Sequence, residues 1–595
     1  MKKFLKLLFI IIIIALVIFG ITKIPKKEKM AKEQEITVCV GPDPATMDPA
    51  LNSVGYVQTM LTNTFSGLYG YEKDTNGNIV MIPECAKEIV EPLKMDDGKY
   101  QYVITLKDNL KWSDGSQLKA SDFTYAWKRA ADPKLGADYQ FIFSPIDGYS
   151  SDETCNLNVV ANNDDNTITI VTTSYCSYFN QLLAFQLYYP VKEEIVKENV
   201  NWSTNADTYI TNGPFKMKEW NVGDKIVFEK NENYWDAKNV KLNKLIFALS
   251  DDDEAIFANY TNETYSYISS IPVTQLSMLK SDSNRFNKDF FIGDYIGTYF
   301  IEFNINTSFK PGIGVASTKE TAWEEWTPAK NAEVRYALGL LIDRNYIVNN
   351  ITQGGEIPAD SFIPKGMDDG SGNEFRNRAD KWWDVKPENY EKNCEEAVKI
   401  LKKYYKYTED ENGNTVFTDF PTFEYSVNTS TSHLALCEAV QDMWKDYGIN
   451  ASVDQRSWTI IQTALTEGDF TMARLALVAD YNDPISFLEL YTTSSGLNHP
   501  QIGKKGKIGL ASIYGEESKQ TWKESYDKLI EEINRESNTE KRTELLYKAE
   551  KMIHEQYILL PIYYYTNPYC ANTKLKDFMY SPFGWVSFKN AYVSK

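Results

Sequence analysis

QYVITLKDNLKWSDGSQLKASDFTYAWKRAADP, residues 101–133, passes from a period-two pattern to a period-3.6 pattern across one marked turn. Tyr102, Ile104 and Leu106 alternate with Val103 and Thr105, as on a strand with one buried face. Asp114-Gly115 marks the turn. Ser121 stands where a helix N-cap is expected, Phe123, Ala126, Trp127 and Ala130 share one helical face, and Pro133 stops the helix. Tyr125 lies about half a turn off that face and is expected to look away from the core.

The same alternation of short strands and medium helices continues outward without an internal period, which reads as α/β or α+β. Ile36–Val40 reads as a first strand and Val159–Asn180 as a hairpin turning at Asn162–Asn166. Asn331–Ile347 reads as a helix burying Val334, Ala337, Leu338, Leu341 and Ile342. Residues 366–380 and 409–415 are polar loops. Helices over Thr521–Ile533 and Thr539–Glu555 meet near Asn538 and precede a strand at Pro561–Tyr565. A strand that late is expected to join a sheet begun much earlier, which makes the first domain discontinuous.

The chain has 595 residues, 43% of them hydrophobic, enough for several cores. Its net charge is −19, and because eight lysines and two glutamates fall in the first 33 residues, the rest carries −25. Such a surface repels nucleic acid and anionic lipid. Aromatic residues, 14% of the chain, suit a protein that encloses a ligand. At the N-terminus, Lys2, Lys3 and Lys6 precede an apolar run from Leu7 to Ile21, and Lys23, Lys26 and Lys27 follow it. That is an export pattern. The run is short for a membrane span, so signal peptide and signal anchor both stay open. The scarcity of small residues near its end favours an uncleaved tether, with a lysine-rich linker to residue 34.

The search for chemistry is mostly negative. Seven scattered cysteines form no C-x-x-C pair; Cys155 and Cys176 flank the expected hairpin and could bridge, which spacing alone leaves open. Three histidines, His433, His499 and His554, are too few for a histidine-rich metal site. There is no H-E-x-x-H, G-x-S-x-G elbow, P-loop or dinucleotide fingerprint. Gly503-Lys504-Lys505-Gly506-Lys507 has the wrong spacing for a phosphate cradle. Asp251-Asp252-Asp253-Glu254 reads as an acidic helix start. No catalytic residue, metal ligand or cofactor is assigned.

Arg474 to Pro484 is the stretch with functional weight. Leu475–Ala479 is short and apolar, as for a strand. Asp483 before Pro484 is the natural N-cap of a helix at Ile485–Tyr491, while Asp480 has no such structural duty.

Four segments carry a resemblance: Pro44-Ala45-Thr46-Met47-Asp48-Pro49 with Phe65-Ser66-Gly67-Leu68; Leu106–Gly115 through Asp122-Phe123; Asn212-Gly213-Pro214-Phe215 with Asn231–Trp235; and Val334–Leu338 with Ile342-Asp343-Arg344. In their order and spacing they resemble the family-5 extracellular solute-binding proteins, the oligopeptide-binding proteins of ABC importers. Each also has a local reading: Trp112 and Trp127 as core, Asn212-Gly213-Pro214 as a turn using a positive φ, Asp343-Arg344 as a local ion pair.

The resemblance implies a type II periplasmic-binding-protein-like α/β fold, two lobes with a hinge plus an extra domain. The expected division is 1–34 as anchor and linker, 35–69 with 205–302 and 561–595 as lobe I, 70–204 as the additional domain, and 303–560 as lobe III. It implies a monomer at the outer face of the cytoplasmic membrane that takes short peptides to an ABC permease. Asp480 would meet the peptide's ammonium, Leu477 and Val478 would pair with its backbone, and Gly55 would lie across from them. Trp458 and Tyr125 would line side-chain pockets, and Arg474 and His433 would receive the carboxylate. Leu477 departs from a tryptophan found in several such proteins. The lipid-modified cysteine of many Gram-positive relatives is missing, since no cysteine precedes Cys39. Other solutes on the same fold (a metal chelate, a cell-wall peptide, an oligosaccharide) and a secreted glycoside hydrolase remain alternatives.

Overall fold

The computed structural model describes residues 29–75, 77–370, 373–504 and 520–595. The apolar run Leu7–Ile21 and the loop residues 505–507 lie outside them. No helix among the described residues is long and apolar enough to cross a membrane.

One 11-stranded mixed sheet runs through the molecule. Its strands are β1 (Glu35–Gly41), β2 (Phe215–Asn221), β3 (Lys225–Lys230), β4 (Lys244–Leu249), β5 (Tyr267–Ile268), β6 (Phe290–Phe303), β7 (Ile357–Pro358), β8 (Phe423–Asn428), β9 (Ala451–Arg456), β10 (Met472–Val478) and β11 (Leu559–Ala571). The order is β9-β8-β10-β6-β11-β5-β1-β4-β3-β2, with β7 also on β11. The late strand does join the early one, through β5.

β6 and β11, 14 and 13 residues long, connect the two halves of this sheet. They pair antiparallel from Phe290↔Cys570 to Asp294↔Thr566, slip, and resume at Thr298↔Tyr564. Beyond the slip β10 joins β6, from Gly297↔Val478 to Phe303↔Met472. The slip therefore sits where one half of the sheet hands over to the other. Gly297 is required there by proximity, because a Cβ would stand 2.9 Å from the Leu477 carbonyl oxygen.

Residues 70–204 contain a four-stranded antiparallel sheet, with Tyr100–Thr105 between Leu93–Lys94 and Thr167–Thr172, and Val159–Asn162 outermost. Tyr102, Ile104 and Leu106 are buried as the alternation requires. The following helix is Ala120–Ala130, two residues earlier than a Ser121 cap would give. Lys119 takes the cap position, its N–H donating to Asp122 Oδ2 at 2.8 Å, so Asp122 ties the first turn. Phe123, Ala126, Trp127 and Ala130 are buried. The hairpin ends at Thr172, and Phe179–Leu182 is helical.

Three further readings need correction. The helix expected at Asn331–Ile347 is Pro328–Leu340, because Thr327 caps it and Asp343 caps a new turn, accepting from Tyr346 N–H at 2.9 Å. Arg344 is no ion-pair partner: it is buried and donates to the carbonyls of Pro561 and Gly339. Gly213 does not use a positive φ; a Cβ there would lie 2.3 Å from the Thr64 carbonyl carbon. Cys155 and Cys176 are both free thiols. Asp252 caps the helix Asp253–Thr261 as read, and Asn538 caps Thr539–His554.

The loop after β10 is held by a buried pair. Both Asp483 oxygens accept from Arg542, at 2.8 and 2.9 Å, and Asp483 also accepts from Ile485 N–H. Arg542→Ala leaves that carboxylate buried without its partner, which costs about 3–5 kcal/mol. Urea denaturation of the variant should show that loss, and a change under about 1 kcal/mol would mean the loop is held by something else.

Candidate functional site

β10 is paired on one side with β6 along its whole length, but on the other side β8 reaches it only at Met472 and Ala473. From Arg474 to Val478 no described strand pairs with that edge, which leaves a row of main-chain donors and acceptors without ladder partners. Asp480 lies just past the end of this edge. Residues 474 and 480 have the same parity, and six residues of extended chain separate them by about 20 Å.

Asp480 lines a cavity of about 880 Å³. Among the described residues no lysine, arginine or histidine forms an ion pair with it. Burial raises its pKa to about 7, and a hydrogen bond from the Tyr139 hydroxyl opposes the rise. Tyr139, within residues 70–204, packs edge-on against Phe185, ring centres 5.6 Å apart. Nearby, burial raises Glu489 to about 7, although the Tyr481 hydroxyl donates to it at 2.8 Å. Asp480, Asp483 and Glu489 thus share one guanidinium, Arg542, which is committed to Asp483. The surroundings are short of positive charge.

The same segment of the chain packs on this loop. Gln181 accepts from Asn482 N–H at 2.8 Å and donates to its carbonyl at 3.5 Å, while Tyr178 stacks on Tyr481 at 4.9 Å. Three parts of the chain therefore meet around Asp480: the β10 loop, Tyr139 with Gln181, and Tyr295 on β6.

At the other end of the open edge stands Arg474. It donates through Nη2 to Nε2 of His433, and burial, with the Arg474 charge second, lowers His433 to about 3, so the ring stays neutral. The guanidinium lies 5.5 Å from the Tyr299 ring and 5.7 Å from that of Trp458, which is 40% exposed. Its Nε is buried without a partner, and no described carboxylate pairs with Arg474. The open edge thus runs from an uncompensated cation to an uncompensated anion.

The structure brings Arg474, His433 and Trp458 together and sets Leu477 and Val478, both half-buried, on the edge between them and Asp480. Tyr125, expected to line a side-chain pocket, is not part of this arrangement; its ring lies 5.5 Å from Lys197 within residues 70–204. The ring beside Asp480 is Tyr139. Gly55 opens the helix Gly55–Thr64, exposed, with nothing within 4 Å of where a Cβ would be. Tyr139 and Tyr299 were not singled out in sequence, and Tyr139 sits just before a short 3-10 turn where no period marks its direction. Among the described residues no three His, Cys, Asp or Glu side chains gather as a metal set.

Residues 81–499 match the family model described as bacterial extracellular solute-binding proteins, family 5 middle. The chain is 29% identical over 577 residues to the oligopeptide-binding protein OppA of Bacillus subtilis, covering 95% of this chain and 94% of that protein. It is 28% identical over 571 residues to the dipeptide-binding protein DppE of the same organism, covering 95% and 92%. The oligopeptide ABC transporter substrate-binding domain of Bacillus anthracis superposes with a TM-score of 0.72 at 25% identity, over 96% of this chain and all of that one. Haemophilus influenzae OppA in complex with RPPGFSPFR gives 0.73 at 23% identity, over 95% and 100%, a likeness of fold.

If the Tyr139 hydroxyl stabilises the ionised form of Asp480, Tyr139→Phe should raise that carboxyl's pKa further above 7, by about one to two units for one charge-assisted hydrogen bond. A carbon-13 NMR titration of the Asp480 carboxyl reads this directly. An unchanged or lower value would remove Tyr139 from the site.

Proposed function

Because this chain belongs to the bacterial extracellular solute-binding proteins of family 5, we propose that it captures short peptides outside the cytoplasmic membrane and delivers them to an ABC import permease. One observation carries the reading: a strand edge with free main-chain groups from Arg474 to Val478 that ends at an unpaired, desolvated carboxylate. An extended peptide adds to such an edge as a further strand, its backbone bonded regardless of its side chains. The ammonium then meets Asp480, and the carboxylate end meets Arg474 with His433. Their separation of about 20 Å fits roughly five or six extended residues, with shorter peptides leaving one end to water. Trp458 lines the region near Arg474, and Gly55 faces the peptide from the other lobe.

The lobe division expected from the sequence belongs to the same proposal, with the joints at residues 295–297 and 565, where the β6–β11 register slips. So does the tether at Leu7–Ile21, which rests on sequence alone. Transport energy comes from the permease, so no catalytic step enters. The relatives named above support the ligand class by their own binding of oligopeptides and dipeptides.

Isothermal titration with Ala-rich peptides of three to six residues tests this. N-acetylation of the peptide, or Asp480→Ala, should weaken binding by about 30-fold or more, the cost of breaking a buried charge pair. Equal binding of free and acetylated peptides would sink the proposal. The pH profile follows from Asp480 as well. Below about 7 the unliganded carboxyl holds a proton that it must release to pair with an ammonium. Affinity should therefore rise up to about tenfold per pH unit toward 7 and level off above it. Asp480→Asn should flatten the profile, and a flat wild-type profile from pH 5 to 8 would show that Asp480 does not hold the amine.

A further inference from the structure

We propose that the C-terminal turn Ser581–Trp585 is a positioning element for Asp480: acting through Ile296, it fixes where that carboxylate stands relative to the helix Gly55–Thr64. This deepens the peptide reading and rests on it. Ile296 is buried and lies inside the slip of the β6–β11 ladder, between Asp294↔Thr566 and Thr298↔Tyr564. The ladder on β11 offers it no partner there, and a buried main-chain group needs one. Both of its groups find theirs elsewhere. The Ile296 carbonyl accepts from Ala479 N–H at 2.8 Å, and its N–H donates to the Pro582 carbonyl at 2.8 Å. Ala479 directly precedes Asp480, so a single residue of β6 ties the start of that loop to the turn.

Two interlocking contacts flank this junction. Gly584, at φ +85°, is a notch for Tyr295, since a Cβ there would stand 2.5 Å from the ring. Gly293 is a notch for Tyr580 in the opposite sense, again with a Cβ 2.5 Å from the ring. Tyr295 packs on Tyr565 at 5.6 Å and Tyr580 stacks on Tyr569 at 5.0 Å, so β11 backs both rings. The turn joins two short paired strands, Met579–Tyr580 and Val586–Ser587. Their far side is bonded to the helix Gly55–Thr64. Val586 N–H donates to Thr59 Oγ1 at 3.2 Å, Asn63 Nδ2 to the Val586 carbonyl at 2.8 Å, and Phe588 N–H to Asn63 Oδ1 at 2.7 Å. A run of hydrogen bonds thus reaches from the helix that opens at Gly55 to the residue beside Asp480. A charge-assisted hydrogen bond weakens steeply away from its best geometry. A small displacement of the turn is therefore felt by a ligand ammonium on Asp480 and not by a ligand without one.

Titration calorimetry on the full chain with Ala-Ala-Ala and its N-acetyl form tests the assignment. The variant is Gly584→Ala, whose added Cβ displaces the turn from Tyr295. The free peptide should bind it about tenfold more weakly than wild type, as when one charge-assisted contact is misplaced, and the acetylated peptide within about twofold of wild type. In an Asp480→Ala background the same substitution should change binding of the free peptide by less than about twofold, because its effect runs through that carboxylate. Equal losses for both peptides, no loss for either, or an undiminished loss on top of Asp480→Ala overturns the assignment and leaves the peptide reading standing. If Gly584→Ala does not fold, Thr59→Val decides, since it removes the acceptor of Val586 N–H at the far end of the run. A loss of about threefold confined to the free peptide upholds the assignment, and an unchanged ratio of the two peptides overturns it. A wild-type chain that binds both peptides equally overturns the peptide reading together with it.

Discussion

The antiparallel pairing of β6 with β11 is the constraint on which the molecule turns. Two long strands carry the main chain between the halves of the sheet, and their ladder slips most between Asp294↔Thr566 and Thr298↔Tyr564, with a smaller shift between Tyr299 and Phe300. Three residues there oppose one, which leaves backbone free to change direction without undoing the ladders on either side. The same strand, β6, is the neighbour that holds β10, so the open edge and Asp480 are built directly onto the joint. Any bending at that slip would carry the open edge with it.

Along that edge the protein tolerates two poorly compensated charges. Other buried ions are handled in two ways: Arg542 pairs with Asp483 and Arg376 with Glu550, while Arg335 and Arg344 donate to main-chain carbonyls. Asp480 has a tyrosine hydroxyl where a cation would serve, and Arg474 has a neutral histidine where a carboxylate would serve. Desolvating a charge without its counterion is costly, and folds that do so twice, at opposite ends of one strand edge, are complementary to a dipolar ion of matching length. The energy withheld from the unliganded fold becomes differential affinity for the ligand.

Much of the fold was legible because it rests on local patterns. The alternation at 101–106, the stripe of Phe123, Ala126, Trp127 and Ala130, and the caps at Asp252 and Asn538 all depend on neighbours within a few positions. Element ends were less legible, since Asp122 and Asp343 act through backbone bonds that a propensity reading places one to several residues off. At the site, Asp480 could be singled out because it follows an apolar strand and Asp483 already accounts for the cap. Tyr139 gave no signal, since it sits just before a 3-10 turn, and for Tyr125 a helical period shows which side chain leaves the core, not what it meets.

The shielding of Asp480 comes from a distant part of the chain. Tyr139 and Gln181 lie against the loop at 480–482, while Asp480 itself stays on the cavity wall. Withdrawing residues 70–204 from that loop would rehydrate the carboxyl and lower its pKa toward the ordinary range, so without a counterion the electrostatics favour separation. In the proposed mode of binding an ammonium on Asp480 reverses the sign, because a charge pair gains strength as water leaves. Under that proposal ligand and closure stabilise each other through one carboxylate.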